Sequence, residues 1–302
     1  MDYSIIIETH NLEEGTPADI FYGSLKSALS MISDGQGEII IIDVLQMEEI
    51  KQKLSQEFPF IRVLPLKETG YDRAKMIAAK EAKGNYVLFL DSDCIPSPGW
   101  HHHLLECLKS GKTACAGYTT YQEEGLLGKI MTVMDMGCLF PLVPHIVRSY
   151  ALNNAGFVRK VLLEHPVPDS DMRCNSYGHA QLLLRNHIPV WFVPDAHVVH
   201  DMPSIIKERT RRGYDVIAAC WADPNLFETR WLSLGIFSVP LFYLVEIFYD
   251  VKRTFQARNH LRLDFWQAIL MLSLFPLFRL LDAIGMFRAF MKGPSKGGWG
   301  GF

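Results

Sequence analysis

Two kinds of residue in the stretch LFLDSDCIPSPGWHHHLL, positions 88–105, could do chemistry. Asp91 and Asp93 leave an apolar run within one turn, so two hard oxygen ligands emerge where backbone geometry can hold them together. Such a pair suits Mg²⁺ or Mn²⁺ bridging phosphate oxygens. By itself the spacing is weak, because solvated turn aspartates are common. The triple histidine is the rival. Consecutive helical residues point about 100° apart, so His101, His102 and His103 cannot close on one ion as an i, i+4 pair can. After Pro98-Gly99-Trp100 they read as the start of the helix behind the acidic loop. A better imidazole is His200 in WFVPDAHVVHD, delivered by an apolar strand. Its bland reading is a buried histidine satisfied by backbone.

These side chains need a frame. Ser4–Glu8 is a short apolar run suited to a buried parallel strand. Thr16, Pro17 and Asp19 then supply an N-cap, a first-turn proline and an acidic first turn. The helix they start puts Phe21, Leu25, Ala28, Leu29 and Ile32 on one face. Glu38–Asp43 (EIIIID) is the second strand, and a third lies around Ile61–Leu64. Asp72–Lys83 is an alanine-rich helix stopped by Gly84, and Tyr86–Leu90 is the fourth strand, ending at Asp91. Strands and helices alternating at this spacing predict a doubly wound, mostly parallel α/β sheet with helices on both faces. Ligands then bind at the carboxyl ends of the strands. No GxGxxG follows the first strand, which removes the commonest dinucleotide reading. The Gly111-Lys112-Thr113 triplet fails as a phosphate loop, because the position five earlier is Glu106 rather than glycine.

A chain of 302 residues, 49% of them apolar, predicts one catalytic domain over 1–215, an apolar helical region over 216–292 and a flexible tail over 293–302. The net charge of −3 gives no reason to expect a nucleic-acid partner. Six cysteines without CxxC pairing, and an MDYSIIIETHN opening unlike a signal peptide, predict reduced thiols and a cytoplasmic domain. Residues 231–245 and 265–278 carry no charge, yet each falls short of the ~20 residues that span a bilayer. Pro240 and Pro276 are expected to kink them. Basic tracts flank the first segment on both sides (Lys207 to Arg212 and Lys252 to Arg262), which fits helices lying on or dipping into one leaflet. A buried hairpin or a homodimer interface is the other reading of the same apolar surface.

Read in order, SIIIETHN (4–11), IIIID (39–43), AKMIAAKEAKGNYVLFLDSD (74–93) and PSPGW (96–100) resemble the family 2 glycosyltransferases, inverting enzymes of the GT-A fold. The resemblance covers about residues 3–215. It implies a metal-bound nucleotide-sugar donor, expected here to be a UDP-sugar, and a sugar or lipid-linked acceptor hydroxyl. It places Glu8, Thr9, Asn11 and Asp43 at the base and ribose, and Asp91 and Asp93 at the metal and sugar diphosphate, with His200 as third ligand. Lys75 keeps the cation of the family's Arg-Asn pair, and Met76 loses the amide. Asn153, Asn154 and Arg159 resemble the segment that closes over the donor sugar. Arg211 and Arg212 fall where the family has an arginine-rich stretch against the leaving diphosphate.

One feature departs from the pattern. Most members carry a Glu-Asp pair before a leucine-rich helix, whose aspartate deprotonates the acceptor; here His179 and Ala180 stand there. Asp171 is the favoured replacement base, with Asp169 and His179 as alternatives. The missing pair leaves a second reading, a catalytically silent nucleotide-sugar-binding regulatory subunit. A nucleotidyltransferase is a third, disfavoured because ETHNLEEGTP is acidic where that chemistry wants a glycine-rich basic loop.

Overall fold

The computed structural model describes residues 1–13, 18–31, 35–44, 56, 61–66, 70–121, 125–169, 175–225 and 230–293. Asp171, Thr16, Pro17 and Ile32 lie outside them.

The strands are β1 (Tyr3–Glu8), β2 (Gly37–Asp43), β3 (Arg62–Pro65), β4 (Tyr86–Asp91), β5 (Cys94–Pro96), β6 (Ala114–Tyr121), β7 (Ile146–Val147), β8 (Asn154–Val158) and β9 (Val190–His200). They form one sheet in the order β3-β2-β1-β4-β8-β6-β9-β5, with β7 on β9. The helices are α1 (His10–Glu13), α2 (Ala18–Met31), α3 (Tyr71–Glu81), α4 (Trp100–Lys109), α5 (Leu126–Met136), α6 (Arg159–Glu164), α7 (Asn175–Arg185), α8 (Ile205–Ala222), α9 (Ser238–Ala257) and α10 (Phe265–Lys292).

The half of the sheet read from sequence is parallel: β2 pairs with β3 and β1, and β1 with β4. Beyond β4 the sheet is mixed, because β8 runs antiparallel to both β4 and β6 while β6 and β9 are parallel. Every residue of β1 and all but the first of β2 are buried, as strands covered on both faces must be. One core layer holds Ile6, Ile40, Val87 and Phe89 against α3 and α5. The other holds Ile5, Ile7, Leu88 and Leu90 against α2 and α4. Alternate residues of the same strands thus face opposite layers.

The C-terminal helices are continuous with this body. α8 crosses the boundary drawn at 215, and α10 lies against it. At their crossing a Cβ on Gly213 would meet the Asp282 carbonyl oxygen at 1.9 Å, and one on Gly285 would meet that of Thr210 at 2.0 Å. Glycine at both positions lets the two backbones touch. Pro240 does not kink a helix at its middle. A break at Gly235, φ +57°, interrupts the preceding 3₁₀ segment, Arg230–Phe237, and α9 starts at Ser238, so Pro240 falls in its first turn, where a missing N–H costs little. Pro276 sits inside α10.

Candidate active site

Parallel register gathers the acids. Glu8 is opposite Asp91 across β1 and β4, and Asp43 ends the neighbouring β2. All three therefore stand at the carboxyl edge, all buried. A turn at Ser92 and Asp93 then leads into β5, whose Cys94 pairs with His200 at the end of β9. The Asp201 N–H donates to the Asp93 carbonyl at 2.9 Å and fixes this junction.

The two aspartates have different partners. Asp91 accepts from Lys75, and the Tyr71 hydroxyl lies 2.8 Å from both carboxylate oxygens. Lys75 also donates to Tyr71 at 2.6 Å, the i, i+4 neighbour on α3, and its side chain has no exposure. Asp93 instead faces the imidazole: Oδ2 lies 3.4 Å from His200 Nε2. Burial pushes the Asp93 carboxyl up to about 7, opposed by His200 and reinforced by Asp91 and Glu8. Burial works against the His200 imidazolium, yet Asp93 and the Asp201 carbonyl raise its value overall. The buried pair holds a proton that a bound cation could replace.

Ligand atoms of Asp93, Cys94 and His200 lie within 4.8 Å of one another. Burial raises the Cys94 thiol well above its ordinary value, and the thiol donates to Asp93 Oδ1 at 3.7 Å. The oxygen and nitrogen donors here are one carboxylate and one imidazole with Asp91 alongside, a set that fits a hard to borderline divalent cation.

The remaining predicted residues divide. Thr9 bridges two strand ends, donating to the Ile42 carbonyl at 3.0 Å and accepting from the Val44 N–H at 3.2 Å. Glu8 accepts from the His10 N–H and, at 3.2 Å, from Asn11 Nδ2, so it holds the turn of α1. Asn154 is structural: it accepts from Trp100 Nε1 at 2.7 Å and donates to the Tyr118 and Ala196 carbonyls, tying β8, β6 and β9 together. Arg159 donates to the Ala79 and Lys80 carbonyls at the other end of the sheet.

His179 is not brought to this edge. It is fully buried, bonded at Nδ1 to the Tyr150 hydroxyl (2.6 Å) and at Nε2 to the His165 carbonyl (2.8 Å). Burial lowers its value to about 4, so it is a neutral core residue. Asp169 is exposed, 3.9 Å from Arg73. Arg212 is neutralised by Glu208 at 2.7 Å and Asp135 at 3.4 Å, and Arg211 lies 3.8 Å from Asp215. These arginines belong to an ion network in the C-terminal helices rather than to an open cationic patch.

Sequence reasoning missed Tyr71, Asp72, Asp135 and Tyr121. Tyr71 had a signal in its i, i+4 spacing to Lys75. Asp72 is buried, its carboxyl pushed up to about 7 by burial, and it accepts from Asn175 in the first turn of α7. This ties α7 to the helix that carries Lys75. Tyr121 packs at a tilt against His200 with ring centroids 5.1 Å apart and donates to Asp135 at 3.0 Å. Those pairings join distant segments and leave no local pattern.

A sequence model described as Glycosyl transferase family 2 matches residues 4–162, more than half of the chain. The chain belongs to the family 2 glycosyltransferases. Mouse polypeptide N-acetylgalactosaminyltransferase 5 is 36% identical over 85 residues, covering 26% of this chain and only 9% of that relative's length. Among solved structures, the mannosyltransferase PcManGT from Pyrobaculum calidifontis, in complex with GDP-Man and Mn²⁺, superposes with a TM-score of 0.62 at 13% identity. That match covers 96% of this chain and 87% of PcManGT. GalNAc-T7 with UDP, GalNAc and Mn²⁺ gives a TM-score of 0.54 at 15% identity, over 67% of this chain and 43% of that one. At such identities the likeness carries the GT-A fold alone, and the family 2 chain has that fold from β1 to β9.

Proposed function

We propose that this family 2 chain transfers a sugar from a nucleoside diphosphate donor, a UDP-sugar, to an acceptor hydroxyl with inversion. The acceptor is lipid-linked or a growing polysaccharide, and the work is done at the cytoplasmic face of a membrane. The observation that carries the reading is the Asp93–His200 pair, 3.4 Å apart beside Asp91 at the carboxyl edge of the sheet. A divalent ion held by Asp93 and His200 would supply positive charge to the donor diphosphate. The imidazole in the donor set favours Mn²⁺ over Mg²⁺, which prefers oxygen ligands.

The chain's own groups do the rest. Thr9, Asn11 and Asp43, at the ends of β1 and β2, take the nucleoside, with Glu8 holding the α1 turn beside them. Lys75 and Tyr71 fix the Asp91 carboxylate, so its charge needs no reorganisation when a ligand arrives. Asp171, with Asp169 two residues before it, takes the acceptor proton, since His179 is buried and neutral at working pH.

Calorimetric titration with UDP- and GDP-sugars, each with Mn²⁺, Mg²⁺ or no metal, tests the donor half. Metal-dependent binding of a UDP-sugar is expected, and binding indifferent to metal would remove the role given to Asp93. NMR of the product's anomeric centre tests inversion. His179 and Ala180, both buried where the family has its Glu-Asp pair, favour a second reading, a donor-binding subunit without transferase activity. Donor hydrolysis or transfer that is lost in Asp171→Ala would exclude it.

A further inference from the structure

Two helical segments, Arg230–Ala257 and Phe265–Lys292, are long and apolar enough to cross a bilayer by length and composition. The contacts of the second argue against a crossing. α10 is held along its whole length. Near its start Gln267 meets Lys129 of α5 at 3.3 Å, and Met271 and Phe275 enter the main core. In its second half Arg209 of α8 makes two bonds to Asp282, at 2.8 and 2.6 Å. Close to its end Phe290 packs edge-on against Trp221, ring centroids 5.5 Å apart. At ~1.5 Å per residue this helix is longer than the ~30 Å hydrocarbon layer. Standing it across a bilayer would pull α5, α8 and the acids Asp135 and Glu208 into hydrocarbon.

The outer face has the opposite character. Trp266, Leu270, Leu277, Ile284, Phe287 and Met291 are exposed at three-, four- and seven-residue intervals, one stripe down α10. Leu241, Leu244, Phe248 and Phe255 make the matching stripe on α9. Around these stripes the exposed charges of the two helices and their connection are Lys252, Arg258, Arg262, Arg288 and Lys292 against one acid, Asp264. The inner acids Asp250 and Asp282 are consumed by Arg279 and Arg209. A broad apolar stripe rimmed by cations complements an anionic lipid surface.

We infer that the α9–α10 hairpin is an in-plane anchor, its outer stripes seated in one leaflet of an anionic bilayer and neither helix crossing it. This rests on the membrane-surface reading above and fixes its geometry. The site, the ion network and the lipid contact then all lie on one side of the bilayer.

Flotation of the purified full chain with phosphatidylcholine vesicles, with and without phosphatidylglycerol, tests it. Binding at least ~10-fold tighter to the anionic vesicles is expected, falling at least ~10-fold in the triple variant Trp266→Ser, Leu270→Ser, Phe287→Ser. All three side chains are exposed, so folding is kept, and calorimetric UDP-sugar binding serves as the check. An Asn259→Cys chain, compared with the parent as background, should react with an impermeant maleimide added outside intact vesicles. Labelling only after permeabilisation means a crossing and overturns the inference. A chain that sediments as a dimer and does not float assigns the face to a second copy and overturns it too. Failure of donor binding with flotation intact would instead fault the proposed reaction.

Discussion

Two charge-rich regions of the molecule invite comparison: the carboxyl edge of the sheet and the seam where α5, α8, α9 and α10 meet. At the edge stand the buried acids Glu8, Asp43, Asp91 and Asp93, with Lys75 beside Asp91, His200 beside Asp93 and His10 3.2 Å from Glu8. At the seam the balance closes. Arg209 binds Asp135 and Asp282, Arg279 binds Glu246, Asp250 and Asp282, and Arg212 binds Glu208 and Asp135. Buried charge without its counter-ion is costly, and a protein carries it where a ligand will complete it. Buried charge that is fully paired is scaffold. The two regions touch through Tyr121, which packs against His200 and donates to Asp135.

The sharpest way to break the comparison is at the edge. Asp93→Asn should lower transfer on the order of 10³-fold and abolish the Mn²⁺ dependence of donor binding, measured by product formation and calorimetry. Thermal stability should hold or rise, because a carboxyl raised to about 7 by burial is a group the fold tolerates for its ligand. At the seam the same kind of change should act on the fold instead. Asp282→Ala leaves Arg209 and Arg279 each short of a partner and should cost about 3–5 kcal/mol in denaturant unfolding.

His179 sharpens the contrast as a third case, a titratable group kept neutral. Its folded value, about 4, lies below the ordinary 6.5, so the unfolded chain takes up the proton first. Stability is therefore complete above pH 6.5 and is lost as pH falls toward 4, by about 3 kcal/mol. In His179→Gln that share of the acid sensitivity should disappear from urea titrations, while the pH profile of transfer keeps its shape. The smallest effect belongs to the triple histidine. His103 is half-exposed on α4, and His103→Ala should change stability by less than about 0.5 kcal/mol and leave metal dependence untouched.

Much of the edge was legible without coordinates. Uninterrupted isoleucines in β1 and β2 announce strands buried on both faces, and polar residues ending such runs can only lie at the sheet's rim. Asp91 was read at the rim in that way, and Glu8 and Asp43 through the family resemblance. The pairing of Asp93 with His200 was half legible: the histidine ends an apolar strand, but only the antiparallel β5–β9 ladder sets Cys94 against it. The basic run at 207–212 was misleading, since arginines look cationic in sequence whatever acids face them.

Local order in the chain determined the parallel core, the strand tips and the acids they carry, because period and punctuation are properties of neighbouring residues. The uncharged runs at 231–245 and 265–278 likewise marked two apolar helical segments. Which face of each helix stays exposed, which arginine is spent on which aspartate, and that His179 is core were decided by the tertiary structure. Those outcomes depend on contacts between residues such as Asp135 and Arg209, or Arg209 and Asp282, some 70 positions apart, where the sign and burial of the partner exist only after the chain has folded.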